Sequence, residues 1–117
     1  MPASFVPDDV PDRLRAARAE AVARAAGLRA DVTDMVDAAR GSNADDEHDP
    51  DGATIAFERA QAETLARAAT ARVAEIDAAL ARQADGAFGV CEACGAEIPA
   101  ARLTARPTAR RCVGCAA

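Results

Sequence analysis

The chain of 117 residues has no lysine, no tryptophan and no tyrosine, and only three phenylalanines and one histidine. Each shortage excludes something. Half of the residues are hydrophobic, but 34 of them are alanines, and alanine buries too little surface to fill a thick core. A sandwich or an α/β sheet over one large core is therefore not expected. A single histidine, serines Ser4 and Ser42 without triad partners, and the lack of a glycine-rich phosphate loop leave nothing that builds a nucleophile with its base, so no enzyme is expected. Arginine or aspartate interrupts every alanine run before it nears the ~18 apolar residues of a membrane span. Met1 to Val10 holds Pro2, Pro7, Asp8 and Asp9 where a signal peptide would have a basic start and an apolar stretch. The expectation is a cytoplasmic protein with no membrane partner. Disulfides are rare in that compartment, so the four cysteines need another explanation.

All 14 basic residues are arginine, against 19 acids, for a net charge of −5. An acidic chain is poorly suited to a nucleic-acid backbone, and sequence-specific DNA binding is not expected. The imbalance is local. Residues 41–51 carry five acids and no arginine, which by itself equals the net charge.

Pro7-Asp8-Asp9-Val10-Pro11 reads as a helix entry, with acids suited to the N-terminal dipole. Val10, Leu14, Ala17, Ala21, Ala25, Leu28, Val32, Met35 and Ala39 then recur at spacings of three and four, the mark of a helical seam. Gly41-Ser42-Asn43 ends it. After an acidic stretch containing Pro50, a second seam runs through Ile55, Ala62, Leu65, Ala69, Val73, Ile76 and Leu80 and stops at Asp85-Gly86. Two helices of similar length around a short turn predict an antiparallel hairpin; the competing reading pairs helices of two chains, with the turn as a linker. The fold class expected is mainly α: a long antiparallel coiled-coil hairpin with a small C-terminal four-cysteine zinc-finger module. The boundaries are an N-terminal segment at 1–7, the hairpin at 8–85 with an acidic tip at 43–52, and the module at 86–117.

Cys91 and Cys94 form one C-x-x-C pair, and Cys112 and Cys115 a second, with 17 residues between them. A C-x-x-C turn points two sulfurs along one edge of a tetrahedron, and two such turns close it. Gly95 after the first pair and Gly114 within the second are placed to let the backbone bend. Four thiolates leave no open position for water, so the expected ion is one structural Zn²⁺. Arg102, Arg106, Arg110 and Arg111 surround the pairs and are read as offsetting the negative metal–thiolate cluster, with phosphate contact as the other reading.

Asp45, Asp46, Glu47, Asp49 and Asp51 place five carboxylates within seven residues. They read either as a solvated turn or as a charged tip that meets something cationic. Glu47, Asp49, Asp51, Gly52 and Glu58 also follow the spacing of a calcium loop, though with Glu at the first position and Pro50 inside it. His48, exposed among carboxylates, reads as a solvated side chain.

The run Gly86-Ala87-Phe88-Gly89-Val90-Cys91-Glu92-Ala93-Cys94-Gly95-Ala96-Glu97-Ile98, then Arg102-Leu103-Thr104-Ala105-Arg106-Pro107-Thr108-Ala109, then Cys112 and Cys115 resembles the DksA/TraR family. The resemblance is close from Gly86 to Cys115 and one of architecture over 10–84. It implies a bacterial transcription regulator that binds RNA polymerase, inserts its hairpin through the secondary channel and brings acidic tip residues near the catalytic centre. On the family's Asp-x-x-Asp-x-Ala tip motif, Asp51 and Ala53 match the second Asp and the Ala. His48 stands at the first Asp, with Asp49 beside it, so the implied tip is Asp49, Asp51 and Ala53. Arg106 matches a basic residue of the family's site for the alarmone ppGpp, whereas Glu75 and Ala116 stand where other members carry lysine, so alarmone coupling is not expected. The alternative from another class is a zinc-stabilised protein–protein adaptor that uses the alanine-rich helices and does not act in a polymerase channel.

Overall fold

The computed structural model describes residues 8–41 and 50–116, and for 41, 50 and 51 the backbone alone. Helix α1 runs Val10–Gly41 and helix α2 runs Pro50–Ala84, about 50 Å each at 1.5 Å per residue. A one-and-a-half-turn helix, α3, follows at Ala100–Ala105, and a single 3₁₀ turn at Val113–Cys115.

The helix ends follow from local chemistry. The N–H of Arg13 donates to the Asp9 carbonyl at 2.9 Å, closing the first turn of α1, and Arg40 in the last turn complements the dipole. Helix α2 begins at Pro50, inside the stretch expected to form the tip. Proline is well placed at a first helical position, where its missing N–H costs no hydrogen bond, so the same residue that ends one helix pattern begins the next. At the other end, Ala87 N–H reaches back to the Arg82 carbonyl (2.8 Å) and Gly86 N–H to Gln83 (3.3 Å), with Gly86 at φ 77°. This is a Schellman stop, and its left-handed residue favours glycine.

Contacts divide the described chain into two units: residues 21–72, and residues 8–20 together with 73–116. In the unit of residues 21–72, Arg29 Nη2 donates to Thr70 Oγ1 at 2.8 Å, while Met35, Ala38 and Ala39 line one groove with Gly52, Ile55 and Ala56. As α1 advances, its neighbours on α2 run backwards, which makes the pair antiparallel. The buried side chains here are all alanine: Ala21, Ala25, Ala62, Ala66 and Ala69. The α1 seam holds as far as Met35, which is half-buried, but Ala39 is exposed. The α2 seam holds at Ala62, Ala69, Val73, Ile76 and Leu80, which are buried or half-buried. It fails at Ile55 and Leu65, 50% and 43% exposed, and Ala66 is buried beside Leu65. Where alanine packs against alanine the backbones approach closely, and a leucine is turned outward.

The other unit holds the large side chains. Val10, Leu14, Ile76, Leu103 and Cys91 are fully buried, joined by Ala79, Phe88, Ile98 and Ala109. Arg18 of α1 grips both carboxylate oxygens of Asp77 on α2 at 2.5 and 3.4 Å. Arg13 donates to the Thr104 carbonyl (2.6 Å) and Arg82 to the Thr108 carbonyl (3.3 Å), so each long helix is tied to the C-terminal segment. Removing Leu103, the largest side chain that α3 buries, should lower unfolding free energy by about 2–5 kcal/mol. The exposed Leu65→Ala should change it by less than about 1 kcal/mol. Denaturant titration followed by circular dichroism measures both, and equal losses would refute this account of the core.

Candidate metal centre

Glycine conformation and backbone hydrogen bonds build the first cysteine turn. Gly89 (φ 88°) and Gly95 (φ 77°) both lie in the left-handed region. Ile98 N–H donates to the Gly89 carbonyl (2.7 Å), Cys91 N–H to Ala96 (2.8 Å), and Gly95 N–H back to Cys91 (2.9 Å). One antiparallel bridge, Val90 to Glu97, closes this short hairpin. The second turn is built differently. Cys115 N–H donates to the Cys112 carbonyl at 3.0 Å within the 3₁₀ turn, and Gly114 is not among the residues with positive φ. The bend expected of Gly114 is thus an ordinary helical one.

The two turns meet. Glu92 N–H donates to the Arg110 carbonyl at 2.9 Å, Arg111 pairs with the Glu92 carboxylate at 3.1 Å, and Arg102 Nε donates to the Arg111 carbonyl at 2.8 Å. The sulfurs of Cys91, Cys94, Cys112 and Cys115 then all lie within 4.8 Å of one another, and those of Cys94 and Cys112 are 3.8 Å apart. Two sulfurs each 2.3 Å from one tetrahedral zinc would stand about 3.8 Å apart, whereas a disulfide needs about 2.05 Å. All four thiols are free. The donor set fits one structural zinc, and these four residues would hold it.

The electrostatics favour thiolate at the buried end. Cys91 is 1% exposed, yet its thiol is lowered to about 6, chiefly by the backbone N–H of Cys112 and then that of Cys94. Cys115 is pushed up to about 12 by hydrogen bonds with the sulfurs of Cys112, Cys94 and Cys91. Four sulfurs in one place cannot all give up a proton unless a cation joins them.

Beside the sulfurs, Arg102, Arg106, Arg110 and Arg111 line a cavity of about 310 Å³ with Thr108, Glu75 and Ala116. Arg106, Glu75 and Ala116, singled out from sequence against the family's alarmone site, are therefore neighbours. Arg102 and Arg111 brace the cysteine turns, which is a more specific role than offsetting charge. Burial first, and then the like charge of Arg110, push the Arg82 guanidinium down in pKa, with Glu92 acting against them. Sequence reading missed Leu103 as the central side chain of this segment, although it is the only leucine after Leu80. It also missed the carbonyl contacts of Arg13 and Arg82, which periodicity does not reveal.

Of the residues read as the tip, Ala53 is exposed in the first turn of α2. Asp49 and His48 lie outside the described residues, as does the side chain of Asp51. Residues 50–58 are helical, so the calcium-loop pattern over 47–58 does not form a loop and is discarded.

The comparisons with known proteins agree with this centre. Residues 86–117 match the model of the prokaryotic dksA/traR C4-type zinc finger. A solved structure, transcription factor DksA2 from Pseudomonas aeruginosa, is similar with a TM-score of 0.76 and 30% sequence identity, over 92% of this chain and 77% of that one. The chain belongs to the DksA/TraR family. No curated protein sequence matches it. Family and neighbour make it a DksA-like transcription regulator, with an antiparallel helical pair and a four-cysteine zinc module as the shared architecture. Among the described residues, no helix is long and apolar enough to cross a membrane.

One zinc per chain should be found by elemental analysis of the purified protein. Chelation, or Cys112→Ser with Cys115→Ser, should make residues 86–116 the first site of proteolysis. A metal-free chain that keeps this segment protected would show that zinc does not hold it.

Proposed function

We propose that this DksA/TraR protein regulates transcription by binding bacterial RNA polymerase, with the helical hairpin entering the secondary channel. Its acidic turn, at 43–52, comes near the catalytic centre. Asp49 and Asp51 supply the negative charge there, with Ala53 beside them, and Cys91, Cys94, Cys112 and Cys115 hold the zinc that closes the base. The observation that carries this reading is the likeness of nearly the whole chain to a transcription factor, at 30% identity over 92% of its length. The helix lengths of 32 and 35 residues support it, since about 50 Å of helix suits a deep, narrow channel. So does the charge. Five carboxylates between residues 45 and 51 are attracted to a basic, metal-bearing centre, and the chain's net charge of −5 disfavours DNA. The chain acts in this reading as a charged probe and not through a reaction of its own.

The cavity lined by Arg106 is not needed for that role. It includes Glu75 and Ala116, where the resemblance calls for lysines, so ppGpp should add little to the effect. Reconstituted multi-round transcription with core polymerase and an initiation factor tests both statements. The wild-type chain should change transcript yield, and by a similar factor with and without ppGpp. Asp49→Ala with Asp51→Ala should still co-purify with core polymerase but lose most of the effect. A wild-type chain that does not bind polymerase would refute the reading in favour of an adaptor with another target. A double variant with undiminished activity would remove the tip from it.

A further inference from the structure

Within the unit of residues 21–72, the part nearest Gly41 and Pro50 is held by very little. Among residues 27–40 none is buried: Leu28, Val32, Met35 and Val36 are half-buried and the rest are exposed. On α2, residues 53–61 are all exposed. Met35, Ala38 and Ala39 of α1 face Ile55 and Ala56 of α2 across an apolar groove of about 770 Å³. Side chains that leave such a space unfilled lose the contacts that hold packed helices together. The buried side chains nearest to it, Ala25, Ala62 and Ala66, are alanines, which remove little apolar area from water.

Nor is this part of α1 a strong helix by itself. In the run Asp31-Val32-Thr33-Asp34-Met35-Val36-Asp37, Met35 alone has a high helix propensity. Valine and threonine lose side-chain freedom against the preceding turn, and aspartate competes for the backbone's hydrogen bonds. Asp37 also brings negative charge close to the C-terminal end of α1, where the helix dipole disfavours it. Gly27, just ahead of the run, lies in mid-helix, and a methyl group placed on it would meet nothing within 4 Å. No close approach asks for glycine there, so its effect is to add backbone freedom to the unfolded segment. Over residues 59–72, by contrast, α2 consists mostly of alanine, arginine, glutamate and glutamine. Arg59 braces it through Glu63 at 2.9 Å, and Arg67 through Thr64 at 3.3 Å.

We propose that residues 27–41 of α1 open from α2 as a local unit while the zinc-holding unit stays folded, which makes this part of the helix pair an order–disorder switch. In the open state residues 27–41 lose their helix, and α2 keeps its own over 59–72. A partner that holds the two helices side by side binds the closed state alone. Its affinity is reduced by the closed fraction and raised by any change that favours closing. The equilibrium is set by Gly27, Asp34 and Asp37 through the helix they belong to, whether or not the partner touches them.

Hydrogen exchange of the zinc-loaded full chain, read by mass spectrometry, tests this without polymerase, so the outcome is independent of the reading above. Corrected for intrinsic rates, the amides of residues 28–41 should exchange at least about tenfold faster than those of 73–84. Gly27→Ala should slow exchange over 28–41 by about fourfold, and Asp34→Ala with Asp37→Ala by about tenfold. Exchange over 73–84 should stay unchanged in both variants. All three changes place alanine at exposed helical positions, so they favour the fold, and zinc content and circular dichroism check it. Exchange over 28–41 as slow as over 73–84 would overturn the proposal. So would variants that leave 28–41 as it was, or that slow both segments alike, because the opening would then be global and not local.

Discussion

Four sulfurs within 4.8 Å of one another place a demand on everything around them. As neutral thiols they are weak partners, and as thiolates they repel, so the arrangement is stable only around a cation. Meeting that demand shapes the C-terminal segment. Two glycines take left-handed backbone conformations at the first turn, a 3₁₀ turn shapes the second, and Glu92, Arg110 and Arg111 fasten one to the other. Cys91 is buried with Leu103, Phe88 and Ile98, so closing the metal site and closing the only core of large side chains among the described residues are one event. The ends of both long helices share that core through Val10, Leu14 and Ile76. A helix pair that would be marginal alone is thereby stabilised where it joins the module.

Between residues 21 and 72 the physics changes. Buried alanines give little transfer free energy and almost no shape to tell one register from another. Polar contacts take over that task. In this unit Arg29 reaches Thr70, whose hydroxyl also donates to the Ala66 carbonyl, and in the other unit Arg18 grips Asp77. These pairs are exposed, and exposed pairs contribute little to stability. Their value is directional, since a slip of one turn would break them and leave the alanine seam nearly unchanged.

That division explains what could be read from the sequence and what could not. The cysteine spacing, the stop at Gly86 and the α1 seam as far as Met35 were readable because each has a local cause: ligand geometry, a left-handed residue, helical periodicity. The α2 seam was misread at Leu65. A hydrophobic pattern ranks leucine above its neighbour Ala66, whereas a close helix approach selects the smaller side chain. Pro50 lies in the stretch read as the tip, 43–52, yet it begins α2, since proline suits the first position of a helix as well as the turn before one. Leu103 and the carbonyl-bound arginines belong to a segment whose order comes from the sulfurs and not from a repeat, so pattern reading had little to follow there.

The absence of lysine acquires a meaning in this light. Three arginines spend their guanidinium donors on main-chain carbonyls: Arg13 on Thr104, Arg82 on Thr108 and Arg102 on Arg111. Each carbonyl belongs to the cysteine segment, which has too little regular structure to satisfy all of its own backbone. A planar donor with several N–H groups can serve a carbonyl and still face solvent or a second partner, whereas an ammonium is a compact, strongly hydrated point charge. The arginines that stabilise the module and those that remain free in the adjoining cavity are therefore the same kind of side chain in two roles. Four arginines and two glutamates in residues 86–117 leave a surplus of two positive charges, which matches the two negative charges of four thiolates around one zinc, so the arginine content of this end follows from the metal it holds and the backbone it must satisfy.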